Sequence, residues 1–164
     1  MNRLSKGFLA LAFLGILALA AAPAQADWFY MHGAGGHIQE MTNIVSSGYY
    51  GNGLVFTQKK GTTSYLQVPI PNPANNSWTV SEIWIYCSTG GANAKITQVD
   101  VWDGATKFKT ITGKWSGHAK LIKLNLGAKW KIYRGLNITI TTTVTGGSDL
   151  FFGIDCVGAN MTDK

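Results

Sequence analysis

Apolar and polar positions alternate with a period of two in several segments of the chain. The clearest case is Leu136–Val144 (LNITITTTV), where Leu, Ile and Val positions alternate with Asn and Thr. Because successive side chains of a strand point to opposite faces of a sheet, this pattern predicts a half-buried strand with one apolar and one hydroxylated face. No segment after residue 26 shows a convincing amphipathic helical period, so the pattern favours an all-β domain.

Turn-forming residues divide the chain into short segments of similar length. Gly, Asn and Asp recur every 8–12 residues, and Asp103-Gly104 and residues 145–149 (TGGSD) mark hairpin turns. The prolines of QVPIPNP (67–73) predict an extended edge or a connector. Such spacing is typical of an antiparallel β-sandwich, and we predict a jelly-roll-like one. The predicted strands are 27–34, 43–47, 53–58, 64–68, 79–88, 95–102, 106–112, 119–126, 130–133, 136–144 and 150–157.

Residues 1–26 have the pattern of a secretory signal peptide. Two basic residues precede an apolar run over residues 7–22, and Ala24 and Ala26 are the small residues that a signal peptidase requires. A membrane anchor is the alternative, but the run is short for a span and no positive stop-transfer flank follows. We therefore expect an exported bacterial protein, periplasmic or extracellular. Its residues 27–164 would form a single β-sandwich domain without a transmembrane segment.

The charge of the mature chain narrows the choice of partners only slightly. Without Arg3 and Lys6, twelve basic and eight acidic residues remain, a net charge of +4. A weak positive charge favours anionic surfaces without specifying nucleic acid. Since exported DNA-binding proteins are rare, we do not expect a nucleic-acid partner.

Cys87 and Cys156 are the only cysteines of the chain. Two thiols tend to pair in an oxidising compartment. If 83–88 and 150–157 are strands, alternation places both thiols on the core face, and we predict a disulfide between them. It would close a loop of about 70 residues and contribute about 4 kcal/mol in the chain-entropy model. Two buried, unpaired thiols are the alternative.

Four motifs occur in order along the chain: WFYMHG (28–33), YLQVPIPNP (65–73), ITQVDVWDG (96–104) and FGID (152–155). Together they resemble an uncharacterised family of small bacterial β-sandwich proteins. That family has an aromatic-x-His-Gly start, an aromatic before a P-x-P-x-P run, an aromatic-Asp-Gly turn and a late Gly-Phe-Asp-like strand. The resemblance implies the sandwich fold and structural roles for His-Gly and Asp-Gly, and it transfers no activity. The two cysteines inside strands depart from the family pattern.

The segment DWFYMHGAGGHIQ (27–39) raises the question of a metal or phosphate site. His32 and His37 flank its glycines, and His118 could complete a zinc site, but no other ligand has suitable spacing. The glycines lack the Lys-Ser/Thr pair of a phosphate loop. We predict instead a first strand that turns at the glycines, and neither a metal nor another cofactor.

Candidate catalytic groups are scarce. Asp100 and Asp155 could act as paired glycosidase carboxylates if their strands were neighbours. A Ser nucleophile would lack the G-x-S-x-G elbow, and Cys87 is expected in the disulfide. We therefore expect no catalytic residue, and hydrolysis of a polysaccharide is a secondary alternative.

Aromatic and polar side chains share predicted strand faces. Ile96, Gln98, Asp100 and Trp102 share one predicted strand face, opposite Val99 and Val101, and Trp84 and Tyr86 alternate with aliphatic residues. If the aliphatic residues face the core, rings and amides face outward. There, sugar C–H groups can stack on rings while polar groups bind hydroxyls. The alternative is that these rings belong to the core, as most Trp rings do.

Basic residues are segregated toward the second half of the chain. Residues 104–148 contain eight basic residues and no acid, and Trp115, His118, Trp130 and Tyr133 lie among them. A basic strip with aromatics can hold an anionic polymer, whereas lysines on strand edges can also prevent edge-to-edge aggregation. We predict a non-catalytic binding module for carbohydrate or an anionic envelope polymer. The alternative is an envelope protein that assembles through its sheet edges.

Overall fold

The computed structural model describes residues 26–73 and 78–163. These ranges contain eleven strands and two short 3-10 turns, and no α-helix. Except for Ala26, the predicted signal peptide lies outside the described residues. The strands are β1 (Ala26–His32), β2 (His37–Ile38), β3 (Ile44–Tyr50), β4 (Gly53–Gln58), β5 (Thr63–Ile70), β6 (Thr79–Thr89), β7 (Ala94–Asp103), β8 (Thr106–Trp115), β9 (Lys120–Lys131), β10 (Leu136–Val144) and β11 (Leu150–Thr162).

Residues 26–73 and 78–163 contain no apolar helix of the length that a membrane span requires.

The strands form two antiparallel sheets. Sheet A has the order β3-β4-β11-β6-β9, with β1 paired to the second half of β11, and sheet B has the order β2-β5-β10-β7-β8. Counted from β4 as strand one, the last eight strands are ordered 1-8-3-6 in sheet A and 2-7-4-5 in sheet B. This is the strand order of a jelly roll. The predicted antiparallel β-sandwich is therefore confirmed.

Aliphatic side chains from both sheets fill the space between them. Ile83 and Ile85 of β6, and Ile138 and Ile140 of β10, have no exposed surface and belong to one core cluster. Each such side chain contributes roughly 1.5–3 kcal/mol when it leaves water. In these two strands, the alternation of apolar and polar residues in the sequence therefore identifies the face that lies against the core.

One polar network is enclosed in this core. Gln58 is fully buried; its Nε2 donates to the carbonyl oxygens of Thr62 at 2.8 Å and Thr142 at 3.3 Å, and its Oε1 accepts from Thr142 Oγ1 at 2.7 Å. Because these groups bond one another, their burial does not leave an unsatisfied amide.

The predicted disulfide between Cys87 and Cys156 is wrong, because both residues are free thiols. In the β11–β6 pairing Ile154 lies opposite Cys87, but Cys156 lies opposite Tyr86, so Asp155 is an extra residue in the ladder. A β-bulge of this kind reverses the alternation beyond it. Cys87 therefore points into the core, whereas Cys156 lies partly exposed on the outer face.

The strand pairing also bears on two other expectations. The predicted strands 119–126 and 130–133 fall mostly in one strand, β9, which ends at Lys131, so Ile132 and Tyr133 follow it. The register of β9 with β6 shifts between Asn125 and Trp130. The prolines lie near an open edge, as expected. Pro69 belongs to β5, and β2 pairs only with Leu66 and Gln67 of that strand.

The His-Gly motif shapes the first turn. His32 Nδ1 accepts from the Ala34 N–H at 3.2 Å, and its Nε2 is 3.1 Å from the Gly51 carbonyl oxygen. A Cβ at Gly33 would overlap the carbonyl oxygen of Ile154. The turn therefore needs a residue without a side chain at this position.

Candidate functional site

A pocket of about 300 Å³ opens where β8 and β9 form the last strands of their sheets. We call it the edge pocket. Its lining combines aromatic, basic and polar side chains from the end of β7, from β8 and β9, and from the segment that follows β9. The lining residues are Asp103, Thr106, Phe108, Trp130, Lys131, Tyr133 and Arg134.

Two stacked rings join the sheets at the edge pocket. In the β7–β8 pairing Val101 lies opposite Lys109 and Trp102 opposite Lys107, so Phe108 is an extra residue in β8. Its ring stacks on Trp130 of β9, with centroids 5.2 Å apart and planes inclined by 28°. Both rings are partly buried and pack against the core, so this wall of the pocket is preformed.

Asp103 fixes the segment between β9 and β10. Its carboxylate accepts the backbone N–H groups of Tyr133 at 3.1 Å, Arg134 at 2.6 Å and Gly135 at 3.1 Å. Gly104 follows in the left-handed region, with φ 56°, and donates its N–H to the Gly135 carbonyl oxygen at 2.8 Å. The Asp-Gly motif therefore closes the β7–β8 turn and also positions Tyr133 and Arg134.

The free charges of the edge pocket are positive. Lys131 Nζ lies 4.9 Å from the centroid of the Tyr133 ring, and Arg134 Nη1 donates to Thr106 Oγ1 at 3.3 Å. Asp103 is the one acid among the lining residues, and three backbone N–H groups engage its carboxylate. Tyr133 is 57% exposed. The pocket therefore offers an accessible ring beside two cations, a combination that suits an anionic ligand with apolar C–H faces.

Gln98, Asp100 and Trp102 lie together on the outer face of sheet B, in line with their predicted alternation. Ile96, predicted on the same face, is instead fully buried in the core, because Thr97 is an extra residue in the pairing of β7 with β10. Asp100 is only 6% exposed and accepts hydrogen bonds from Gln98 Nε2 at 2.9 Å and Thr110 Oγ1 at 2.6 Å. Lys107 Nζ lies 3.5 Å from the same carboxylate and 5.3 Å from the Trp102 ring centroid. Neighbouring side chains thus satisfy this acid, which is poorly placed for acid–base chemistry.

Asp100 and Asp155 do not form the carboxylate pair that a glycosidase needs. Asp100 belongs to β7 in sheet B, whereas Asp155 is the bulge residue of β11 in sheet A. Because the core separates the two sheets, the condition for the hydrolase alternative, that these strands be neighbours, is not met.

Trp84 and Tyr86 lie on the outer face of sheet A, beside two rings of β1. The Trp28 and Trp84 centroids are 4.0 Å apart, and those of Trp28 and Tyr30 are 5.8 Å apart. A Cβ at Gly158, on the strand between β1 and β6, would overlap the Tyr30 ring, so this glycine lets the rings lie close to the sheet. This cluster is separate from the edge pocket.

The other two predicted site residues lie near the junction of β8 and β9. Trp115 packs against the core, and its ring covers Gly113, whereas His118 is exposed between the two strands. The nine predicted ligand-binding positions therefore divide among several surfaces, and two of them, Trp130 and Tyr133, line the edge pocket.

The three histidines do not converge on a metal site. His32 caps the first turn, His37 lies in β2 and His118 follows β8. β2 and β8 are opposite edges of sheet B, four strand spacings or about 19 Å apart. Over residues 26–73 and 78–163, no group of three or more His, Cys, Asp or Glu side chains could hold a metal ion.

No protein-family model matches the chain, and no curated protein matches it. Solved structures share its fold. The low-affinity xylan-binding module CBM86 of Roseburia intestinalis gives a TM-score of 0.53 at 9% identity, covering 82% of this chain and 96% of that one. The C-terminal CBM6 of a Zobellia galactanivorans laminarinase gives 0.48 at 8% identity, covering 84% and 100%. A CBM36 domain of a xylanase from a Trinervitermes trinervoides hindgut metagenome gives 0.43 at 12%, covering 81% and 96%. At these identities the CBM86 likeness establishes the β-sandwich fold alone.

Proposed function

We propose that this protein is an exported, non-catalytic glycan-binding module that holds an acidic polysaccharide at the edge pocket. The observation that carries the proposal is the pocket itself, where an exposed tyrosine ring and a stacked Phe–Trp pair lie beside Lys131 and Arg134. The β-sandwich shared with the CBM86 xylan-binding module of R. intestinalis supports a glycan as the class of ligand.

Each part of the edge pocket would have a distinct task. The Tyr133 ring would stack on the C–H face of a sugar, which removes apolar surface from water. Arg134 would bind a carboxylate or sulfate through paired N–H groups, and Lys131 would act as a second, less directional cation. The Asp103 carboxylate is engaged by three backbone N–H groups, whose dipoles weaken its repulsion of such a ligand.

A binding experiment with Tyr133→Ala tests the stacking role. The matched control is Tyr49→Ala, which removes another exposed tyrosine, on β3 at the far edge of sheet A. Loss of one stacked ring costs roughly 1–2 kcal/mol, or about 5- to 30-fold in affinity. Affinity electrophoresis in polygalacturonate and in alginate should show that fold-change for Tyr133→Ala and none for Tyr49→Ala.

The charge of the ligand is tested separately. Arg134→Gln should weaken binding to polygalacturonate. The affinity of the unaltered protein should also fall as the salt concentration rises from 0.05 to 0.5 M, because salt screens exposed ion pairs. Over that range the Debye length shortens from roughly 14 Å to roughly 4 Å. Equal affinity for polygalacturonate and for its methyl ester, with no salt dependence, would overturn the acidic-glycan proposal.

A further inference from the structure

A second surface has the features of a ligand site, on the outer face of sheet B. Short threonine side chains of the central strand β10 lie between longer side chains of β5 and β7. We call this surface the polar groove. It consists of Tyr65, Gln67, Gln98, Asp100, Thr139 and Thr141.

The strand register sets the shape of the polar groove. Thr139 lies opposite Gln67 on one side and Asp100 on the other. Thr141 lies opposite Tyr65 and Gln98 in the same way. The short side chains therefore form a line along β10, and the longer ones form its two walls.

The threonine hydroxyls of the polar groove have no hydrogen-bond partner. Thr139 and Thr141 are only 6% and 7% exposed, and their Oγ1 atoms are buried and unbonded. Nearby, Thr143 Oγ1 is bonded to the hydroxyls of Thr63 and Thr97, each at 3.2 Å. Buried unsatisfied hydroxyls are uncommon because each costs about 1–3 kcal/mol. Two of them side by side on an outer face call for a ligand that bonds to them.

We propose that the polar groove binds an uncharged, linear, hydroxyl-rich glycan that runs along β10. Sugar hydroxyls both donate and accept, so they would satisfy both threonine hydroxyls. The groove offers no free charge, since Lys107, Gln98 and Thr110 engage the carboxylate of Asp100. A neutral chain therefore fits this surface better than an acidic one, which distinguishes it from the edge pocket.

Glutamine side chains would open and close the polar groove. Gln98 Nε2 donates to Asp100 Oδ2 at 2.9 Å, and Gln67 Oε1 accepts from Asn137 Nδ2 at 3.1 Å. Both glutamines are only partly buried, so they can rotate and exchange these bonds for bonds to a ligand. Tyr65, 38% exposed, would supply a ring at the rim.

Thr→Val substitutions separate a binding role from a structural one. Thr139→Val and Thr141→Val keep the side-chain shape but remove the unbonded hydroxyls. The thermal midpoint should therefore stay unchanged or rise by up to about 4 °C. The matched control, Thr143→Val, removes a bonded hydroxyl and should lower the midpoint without affecting binding.

Calorimetric titration with cellohexaose, xylohexaose, mannohexaose and laminarihexaose supplies the binding readout. We expect the protein to bind at least one, with affinity falling about 3- to 10-fold for each threonine replaced. Tyr133→Ala should leave this binding unchanged, so failure here is distinguishable from failure of the edge pocket. If none of the four binds, or if Thr139→Val and Thr141→Val bind as tightly as the unaltered protein, the proposal is overturned.

Discussion

Replacing Asp103 with Ala tests whether one carboxylate holds the edge pocket together. The change removes the acceptor of three backbone N–H groups, those of Tyr133, Arg134 and Gly135. A hydrogen bond to a charged group contributes about 1.5–3 kcal/mol when buried. Two of these bonds are exposed and one is partly buried, so the contribution of each bond lies at or below the low end of that range. We therefore expect Asp103→Ala to lower the free energy of unfolding by about 3 kcal/mol.

Two companion variants calibrate this estimate. Asp149→Ala removes a carboxylate that accepts a single backbone bond, from Lys60 N–H at 2.8 Å, and should cost about one third as much. Asp103→Asn can keep the Oδ1 bonds to Arg134 and Gly135 but loses the charge and the bond to Tyr133. Its loss of unfolding free energy should therefore lie between those of Asp103→Ala and Asp149→Ala.

Urea denaturation measures the effect as a shift of the midpoint at constant slope. Binding to polygalacturonate, measured at a temperature where the variant is fully folded, should also weaken, because Tyr133 and Arg134 lose their fixed positions. An Asp103→Ala midpoint no lower than that of Asp149→Ala would refute the idea that the Asp-Gly motif organises this segment.

Two further predictions concern the first turn and the thiols. Gly33→Ala should lower the free energy of unfolding, measured by urea denaturation, by about 3 kcal/mol or more, because the added Cβ would overlap the backbone at Ile154. In the control Gly147→Ala the added Cβ would meet no atom within 4 Å, so this change should be nearly neutral. Under native conditions at pH 8, iodoacetamide should alkylate the partly exposed Cys156 first and Cys87 only on unfolding, because burial raises the pKa of the Cys87 thiol to about 12. Mass spectrometry of the alkylated protein measures this order. In the unfolded chain the same thiol has its ordinary pKa of 9.0, so the free energy of unfolding measured in urea should fall as pH rises from 9.0 toward 12. A free energy of unfolding that stays constant over that range would contradict this prediction.

Much of the fold could be predicted from sequence because each strand has one face against the core. In β10, alternation alone identifies Ile138 and Ile140 as inward-facing. The bulges at Asp155 and Phe108 could not be predicted in this way, because a bulge is a property of the pairing between two strands and leaves no mark in the sequence of one strand. The first bulge made the disulfide prediction wrong, and the second places an aromatic ring in the edge pocket that the sequence did not single out.

The candidate site was harder to predict because it depends on which strands become neighbours. Period-two reasoning correctly places Gln98, Asp100 and Trp102 on one face, since all three belong to one strand. It wrongly adds Ile96 to that face, because it does not anticipate the extra residue Thr97. It does not bring Phe108 beside Trp130, since those rings belong to edge strands of different sheets. The basic residues between 104 and 148 were the sequence signal for this region, and Lys131 and Arg134 are the ones that line the pocket.

The position of β11 in sheet A has a consequence for synthesis of the chain. This strand follows the other ten, yet it pairs with β1, β4 and β6 and so lies between the earliest and the middle parts of the sheet. While a ribosome is still making β10, the edges of β1, β4 and β6 that pair with β11 have no partner. Completion of sheet A therefore has to wait for β11, and a nascent chain stalled before this strand would be a substrate for chaperones and a source of aggregates.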